Sequence, residues 1–159
     1  RGGSIHRASA GGGSWTSTIT SLGTPTQNYE HRLFNFDGTD KIVITTATSN
    51  PQILNSSFST SVVNATGTAN FKFVEVFKNH IFFSGDANNK QQISFMGPNL
   101  TNDFTTNNGG GTIKVDTEIV GLKAFRDTLF IFGQDKIFKL TTDSNVKSYL
   151  LVTEFRRKY

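Results

Sequence analysis

The acid–base material of this 159-residue chain is almost entirely carboxylate: Asp37 with Asp40, Asp86, Asp103, Asp116 with Glu118, Asp127, Asp135, Asp143 and Glu154. Two carboxyl groups facing each other across a sugar ring would be the chemistry of a glycoside hydrolase. Nearly all of these residues stand in turn-like runs, where an aspartate bonds nearby backbone amides and fixes a bend. The Ser-x-Asp-x-Gly-x-Thr-Trp turn of sialidase-type propellers is absent. His6, His31 and His80 lie far apart, and no two have the i, i+4 spacing that puts a pair of imidazoles on one zinc ion. With no cysteine there is neither a thiolate ligand nor a disulfide framework. The run Asp86 to Gln91 lacks the alternating ladder, central glycine and closing glutamate of a calcium loop. Gly109 to Thr112 is not followed by Gly-Lys-Ser/Thr, so it reads as a flexible tip and not a phosphate loop. Asn55, Asn64 and Asn99 open glycosylation-type triplets, which a chain this rich in Asn, Ser and Thr meets by chance. No catalytic residue, metal or cofactor is expected, and the chain reads as something other than an enzyme.

The elements that would position any site must be strands. Apolar residues make up 35% of the chain, with 15 Phe against one Met and one Trp, which favours flat rings and β-branched side chains packed on sheets. No apolar run approaches the ~20 residues that cross a bilayer as a helix, and no secretory apolar stretch opens the chain. Its start at Arg1 instead of a Met suggests a piece of a longer or processed polypeptide. The net charge of +4 is scattered, apart from the cluster Arg156, Arg157 and Lys158. That cluster reads first as a solvated terminus and second as a contact for an acidic partner.

Residues 1–28 are rich in Gly, Ser and Thr and read as an extended arm. Trp15, with Ile19 and Leu22, could dock a short strand from Ser14 to Thr20 on a sheet edge or on another subunit. From Tyr29 onward short apolar runs alternate with Asp, Asn, Gly or Lys pairs. Strands are expected near 31–36, 41–46, 71–77, 81–84, 91–96, 119–125, 129–133 and 136–141. Although Ile119, Leu122, Phe125, Leu129 and Phe132 could share a helix face, Gly121 and the Arg-Asp-Thr break favour strands. The continuous run Leu129-Phe130-Ile131-Phe132 suits a strand buried on both sides. Asn50 to Gly67 and Gly97 to Thr112 read as connections and surface loops.

Phe34, Phe77 and Phe125 mark equivalent places in three units, 43 and 48 residues apart. Repeats of ~40–50 residues with about four short strands each are the signature of propeller blades. The expected fold is therefore all-β, with repeated antiparallel meanders in a partial propeller over residues 29–159; a β-sandwich is the alternative.

The phrases Val74-Glu75-Val76-Phe77-Lys78-Asn79-His80-Ile81-Phe82-Phe83-Ser84-Gly85, Ile93-Ser94-Phe95, Asn102-Asp103-Phe104 and Ile119 to Phe132 occur here in order. In that order they resemble virion structural proteins of tailed bacteriophages, above all those infecting marine bacteria and cyanobacteria. The resemblance covers residues 70 to 142, and Tyr29 to Leu54 more loosely. Such proteins often carry a glycine before the Asn-Pro turn, where this chain has Ala47-Thr48-Ser49-Asn50-Pro51. The resemblance implies a tail-associated component, of the nozzle, adaptor or tail-tip ring kind, assembled in the host cytoplasm and bridging other virion proteins in a homo-oligomeric ring. Host-receptor or glycan binding is the rival function, and a depolymerase a distant third. Neither membrane insertion nor nucleic-acid binding is expected, beyond DNA in passage. Three meanders cannot close a ring, so either the rest lies in a missing part of the polypeptide or neighbouring chains complete it; Trp15, Phe155, Arg156, Arg157 and Lys158 are the expected partner contacts.

Overall fold

The structure, a computed structural model, describes residues 4–8, 11–19, 28–63, 70–98, 102–142 and 149–154. Two short strands come first, β1 (Ile5–Arg7) and β2 (Thr16–Ile19), paired antiparallel. Three four-stranded antiparallel sheets follow, each a simple up-and-down meander. The first holds β3 (Tyr29–Phe34), β4 (Lys41–Thr46), β5 (Ser49–Asn55) and β6 (Thr60–Val62). The second holds β7 (Phe73–Phe77), β8 (His80–Ser84), β9 (Gln92–Phe95) and β10 (Gly111–Lys114). The third holds β11 (Ile119–Phe125), β12 (Thr128–Gly133), β13 (Ile137–Thr142) and β14 (Tyr149–Glu154).

The hairpins follow from local chemistry. Between β7 and β8 both central residues, Lys78 and Asn79, have positive φ (47° and 60°), the tight two-residue turn whose twist matches the flanking strands. Between β3 and β4 the Asp37 carboxylate accepts the Thr39 amide at 3.1 Å, and Gly38 takes the left-handed φ of 83°.

Neighbouring sheets stack face to face over two cores. Phe34, Val43 and Ile53 of the first sheet bury against Val74, Ile81 and Phe83 of the second. The other face of the second sheet, with Phe73, Phe77, Phe82, Ile93 and Phe95, buries against Leu122, Leu129, Ile131 and Leu140 of the third. All five residues of β8 are buried, because the second sheet is covered on both sides. The first strands β3, β7 and β11 are sheet edges, and they approach one another along a common line. Three meanders stacked on their faces with first strands innermost make a partial β-propeller.

Five strands lie where the sequence reads as arm or loop or carries no strand expectation, the first being β1 within the arm. In β5 the ladder with β4 shifts between Ile44 and Thr46, and Pro51 falls at that irregularity, where a missing amide costs no ladder bond. The Thr-Ser pattern of β6 is exposed and carries no apolar alternation. The fourth strand of the third sheet, β14, pairs with β13 beyond the last expected strand. The flexible tip expected at Gly109 to Thr112 is overturned: Gly110 and Gly111 are buried, and β10 begins at Gly111.

The glycines of this loop are there because backbone passes close by. The Gly97 amide donates to the Asp103 carbonyl at 2.9 Å, and a Cβ on Gly97 would stand 2.0 Å from the Asn108 carbonyl oxygen. Gly97→Ala is therefore expected to cost roughly 1–3 kcal/mol, as overpacking does. Urea unfolding should show this as a lower midpoint, and an unchanged midpoint would mean that the loop is free to move away.

The run 129–132 also departs from expectation. Leu129 and Ile131 are buried, but Phe130 is only partly covered and Phe132 is exposed, so β12 is buried on one face.

Candidate functional site

Among the described side chains, the carboxylates that could have formed a catalytic pair are engaged by nearby turn groups, by the Thr117 hydroxyl or by a lysine; Asp143 and the Glu154 side chain lie outside the described residues. Asp103 accepts the Thr105 amide and hydroxyl and the Asn108 amide group, and Asp86 accepts from Asn88 and Asn89. The Lys41 ammonium holds the Asp37 carboxyl below the usual range, as the Thr105 hydroxyl does first for Asp103, Lys136 for Asp116 and Lys78 for Asp127. These anions are held in place by their neighbours. Among the described residues no three His, Asp or Glu side chains gather to hold a metal ion. His6 and His31 are exposed.

His80 is fully buried beside Phe82 and Phe95, and its Nδ1–H donates to the Lys78 carbonyl at 2.6 Å. Burial holds its pKa below the ordinary 6.5, outweighing the bond to Lys78. The neutral ring is the folded form, so the unfolded chain takes up the extra proton. Stability is fully present above pH 6.5 and declines as pH falls from there towards the folded-state value. The slope is at most about 1.4 kcal/mol per pH unit. The lowered aspartates act separately, below their ordinary 3.8. Chemical denaturation from pH 7.5 to 5 should show the loss, and His80→Asn should flatten it; parallel profiles would mean that His80 is not the titrating group.

The strongest electrostatic assembly lies where the first strands meet. Arg32 on β3, Glu75 on β7 and Lys123 on β11 each stand two residues before a marker phenylalanine. They occupy one register position in three successive sheets. Arg32 Nε donates to Glu75 Oε1 at 3.0 Å, and Lys123 Nζ lies 3.5 Å from Oε2. The Glu75 side chain is only 5% exposed, against 27% and 61% for the two cations. The β7 edge is closed by carboxylates as well: Val74 N–H donates to Glu30 at 3.3 Å, and Val76 N–H to Glu75 at 3.2 Å. Sequence reasoning missed this cluster, although the 43- and 48-residue spacing pointed to it.

A cleft of ≈ 430 Å³ opens at the end where these strands begin, lined by Asn28, Glu30, Lys72, Phe73, Lys90 and Glu118 among others. A second hollow of ≈ 450 Å³ shares Lys90 and Glu118, which pair at 3.4 Å. Lys72 lies over the Phe73 ring at 5.0 Å. With both signs of charge already partnered by protein groups, the mouth is suited to polar surface contacts.

Of the expected partner contacts, Trp15 is 71% exposed just before β2. Phe155, Arg156, Arg157 and Lys158 lie outside the described residues. Within 1–28, Ile5 packs against Ile44, as Ile42 does, and the Arg7 guanidinium sits 4.5 Å from the centre of the Phe58 ring. The hairpin β1–β2 thus lies on the outer face of the first sheet.

The fold and its axial ion cluster define a propeller-like module of three stacked sheets. No family model matches the chain, and no curated protein matches it. Among solved structures it is similar to Kluyvelomyces marxianus Hsv2, at 16% identity with a TM-score of 0.43. The match covers 81% of this chain and 38% of that one, so the chain spans less than two fifths of that protein's length.

Proposed function

We propose that this chain is a connective structural component of a tailed-phage particle, tail-associated and of the nozzle, adaptor or tail-tip ring kind. Copies sit in a ring and are joined through other virion proteins. The phage assignment rests on the ordered phrases between residues 70 and 132. The connective role is carried by one observation: the third sheet ends the stack with Phe125 and Phe132 exposed, 61% and 36%, on a face that no described segment covers. A rigid stack pinned at its axis, with an apolar end left over, is suited to transmitting position between neighbours.

The test is where the protein goes. Purified particles, stripped of loosely held protein in high salt, should contain the chain in stoichiometric amount, and antibody against it should label the tail region. Its absence from salt-washed particles would end this reading. Saturable binding of the isolated chain to host envelopes would favour the receptor or glycan rival instead.

A further inference from the structure

We infer that Asn108 is a site of covalent self-modification: its side-chain amide is lost as ammonia, leaving aspartate or isoaspartate, when the loop 102–111 opens, and the closed loop holds the reaction back. The inference stands apart from the connective reading and does not use it.

The chain has a single Asn-Gly pair, Asn108-Gly109. Asparagine is a thermally labile amide, and a glycine that follows it leaves its own nitrogen unshielded, having no Cβ. The Gly109 backbone nitrogen attacks Asn108 Cγ. A new N–C bond forms, the Cγ–Nδ2 bond breaks, and the proton of the attacking nitrogen leaves with the amide group as ammonia. Water then opens the cyclic imide at either carbonyl. One opening gives aspartate, and the other reroutes the main chain through the side chain as isoaspartate. Asn108 is exposed, so water reaches the imide.

The turn itself demands this pair. Gly109 takes a left-handed φ of 80°, and a Cβ there would stand 2.9 Å from Pro98 Cδ. Asn108 Nδ2 donates to Asp103 Oδ2 at 2.6 Å, on a carboxylate that also accepts the Thr105 amide at 2.8 Å and hydroxyl at 2.7 Å. The same bonds restrain the chemistry. Asn108 ends a 3-10 turn (Thr106–Asn108), and the Gly109 N–H is given to the Thr106 carbonyl at 3.1 Å. The attacking nitrogen and the amide it must displace are both engaged elsewhere, so attack waits on local opening.

Conversion changes the loop once it happens. It puts an anion where a donor lay 2.6 Å from the Asp103 carboxylate, and two carboxylates sharing a site do not both stay ionised without moving apart. The Gly97 N–H donates to the Asp103 carbonyl at 2.9 Å, and the Gly110 N–H to the Thr105 carbonyl at 2.8 Å. Phe104, between them, lies 6.0 Å from Phe83 and covers the core between the first and second sheets. A loop pushed open at Asp103 loosens that cover.

The full chain is aged in mildly alkaline buffer, folded in one sample and unfolded in guanidinium chloride in the other. Mass spectrometry of the tryptic peptide 91–114 follows replacement of amide by acid, located by fragmentation. Conversion at Asn108 should be roughly tenfold or more slower in the folded chain. Asp103→Ala should raise the folded rate towards the unfolded one and leave the unfolded rate unchanged. Equal rates in the two states would overturn the inference, as would conversion of the unfolded chain no faster at Asn108 than at Asn99, Asn102 or Asn107. A folded Asp103→Ala chain that converts no faster would remove the restraint assigned to that carboxylate. If Asp103→Ala fails to fold, the comparison within the unaltered chain still decides. Asn108→Asp should speed hydrogen exchange of the Gly97 amide severalfold over Asn108→Ser, which carries no charge, and equal exchange would overturn the opening of the loop.

Discussion

Phe82→Ala should lower the free energy of unfolding by ~3–5 kcal/mol, the range for emptying a buried aromatic site. Phe82 is fully buried and central to the core between the second and third sheets. Its ring stacks on Phe95 with centroids 5.3 Å apart and lies 6.2 Å from both Phe77 and His80. The alanine leaves a void walled by rings that belong to three strands and cannot close together. Urea denaturation followed by far-UV circular dichroism measures the loss. Phe132→Ala, on the open face, should cost well under half as much because less apolar area returns to water. Equal costs at the two sites would mean that Phe132 is not exposed in solution.

The second large effect is expected at the axis. Arg32→Ala leaves the Glu75 carboxylate buried with the longer Lys123 contact as its remaining ion pair beside the Val76 amide, and stripping a buried charge of its close partner costs roughly 3 kcal/mol or more. Lys123→Ala should cost about 0–1 kcal/mol, because an ammonium 61% exposed is screened by water. Glu75→Gln removes the buried charge itself, so the double variant Arg32→Ala with Glu75→Gln should recover much of the loss. A double variant no more stable than Arg32→Ala alone would show that Arg32 acts through its packing and not through the carboxylate.

The sequence made the eight expected strands readable because each carries aromatic or β-branched residues bounded by a turn. It hid others for separate reasons, β1 among them because it lies in the Gly/Ser-rich arm. Pro51 disguised β5, since the irregularity that accommodates a proline is a tertiary event. Exposed Thr and Ser disguised β6. The glycines at 109–111 suggested slackness, whereas the fold uses their small size for close backbone packing. The strand β14 lay past the third repeat's marker residues. As for the site, the marker phenylalanines were read for their repeat but not for the residues two positions before them. Arg32, Glu75 and Lys123 became a cluster only once the first strands were brought to a common line.

The carboxylates that accept the amides of Val74 and Val76 bear on how such a chain stays out of trouble in a crowded cell. A bare strand margin is a template on which a stray segment can zip, and that is how sheet proteins clump. On β7 those two amides are taken, and the Glu75 carboxylate, held by Arg32, hinders an incoming strand. Sideways zipping at that margin is therefore suppressed.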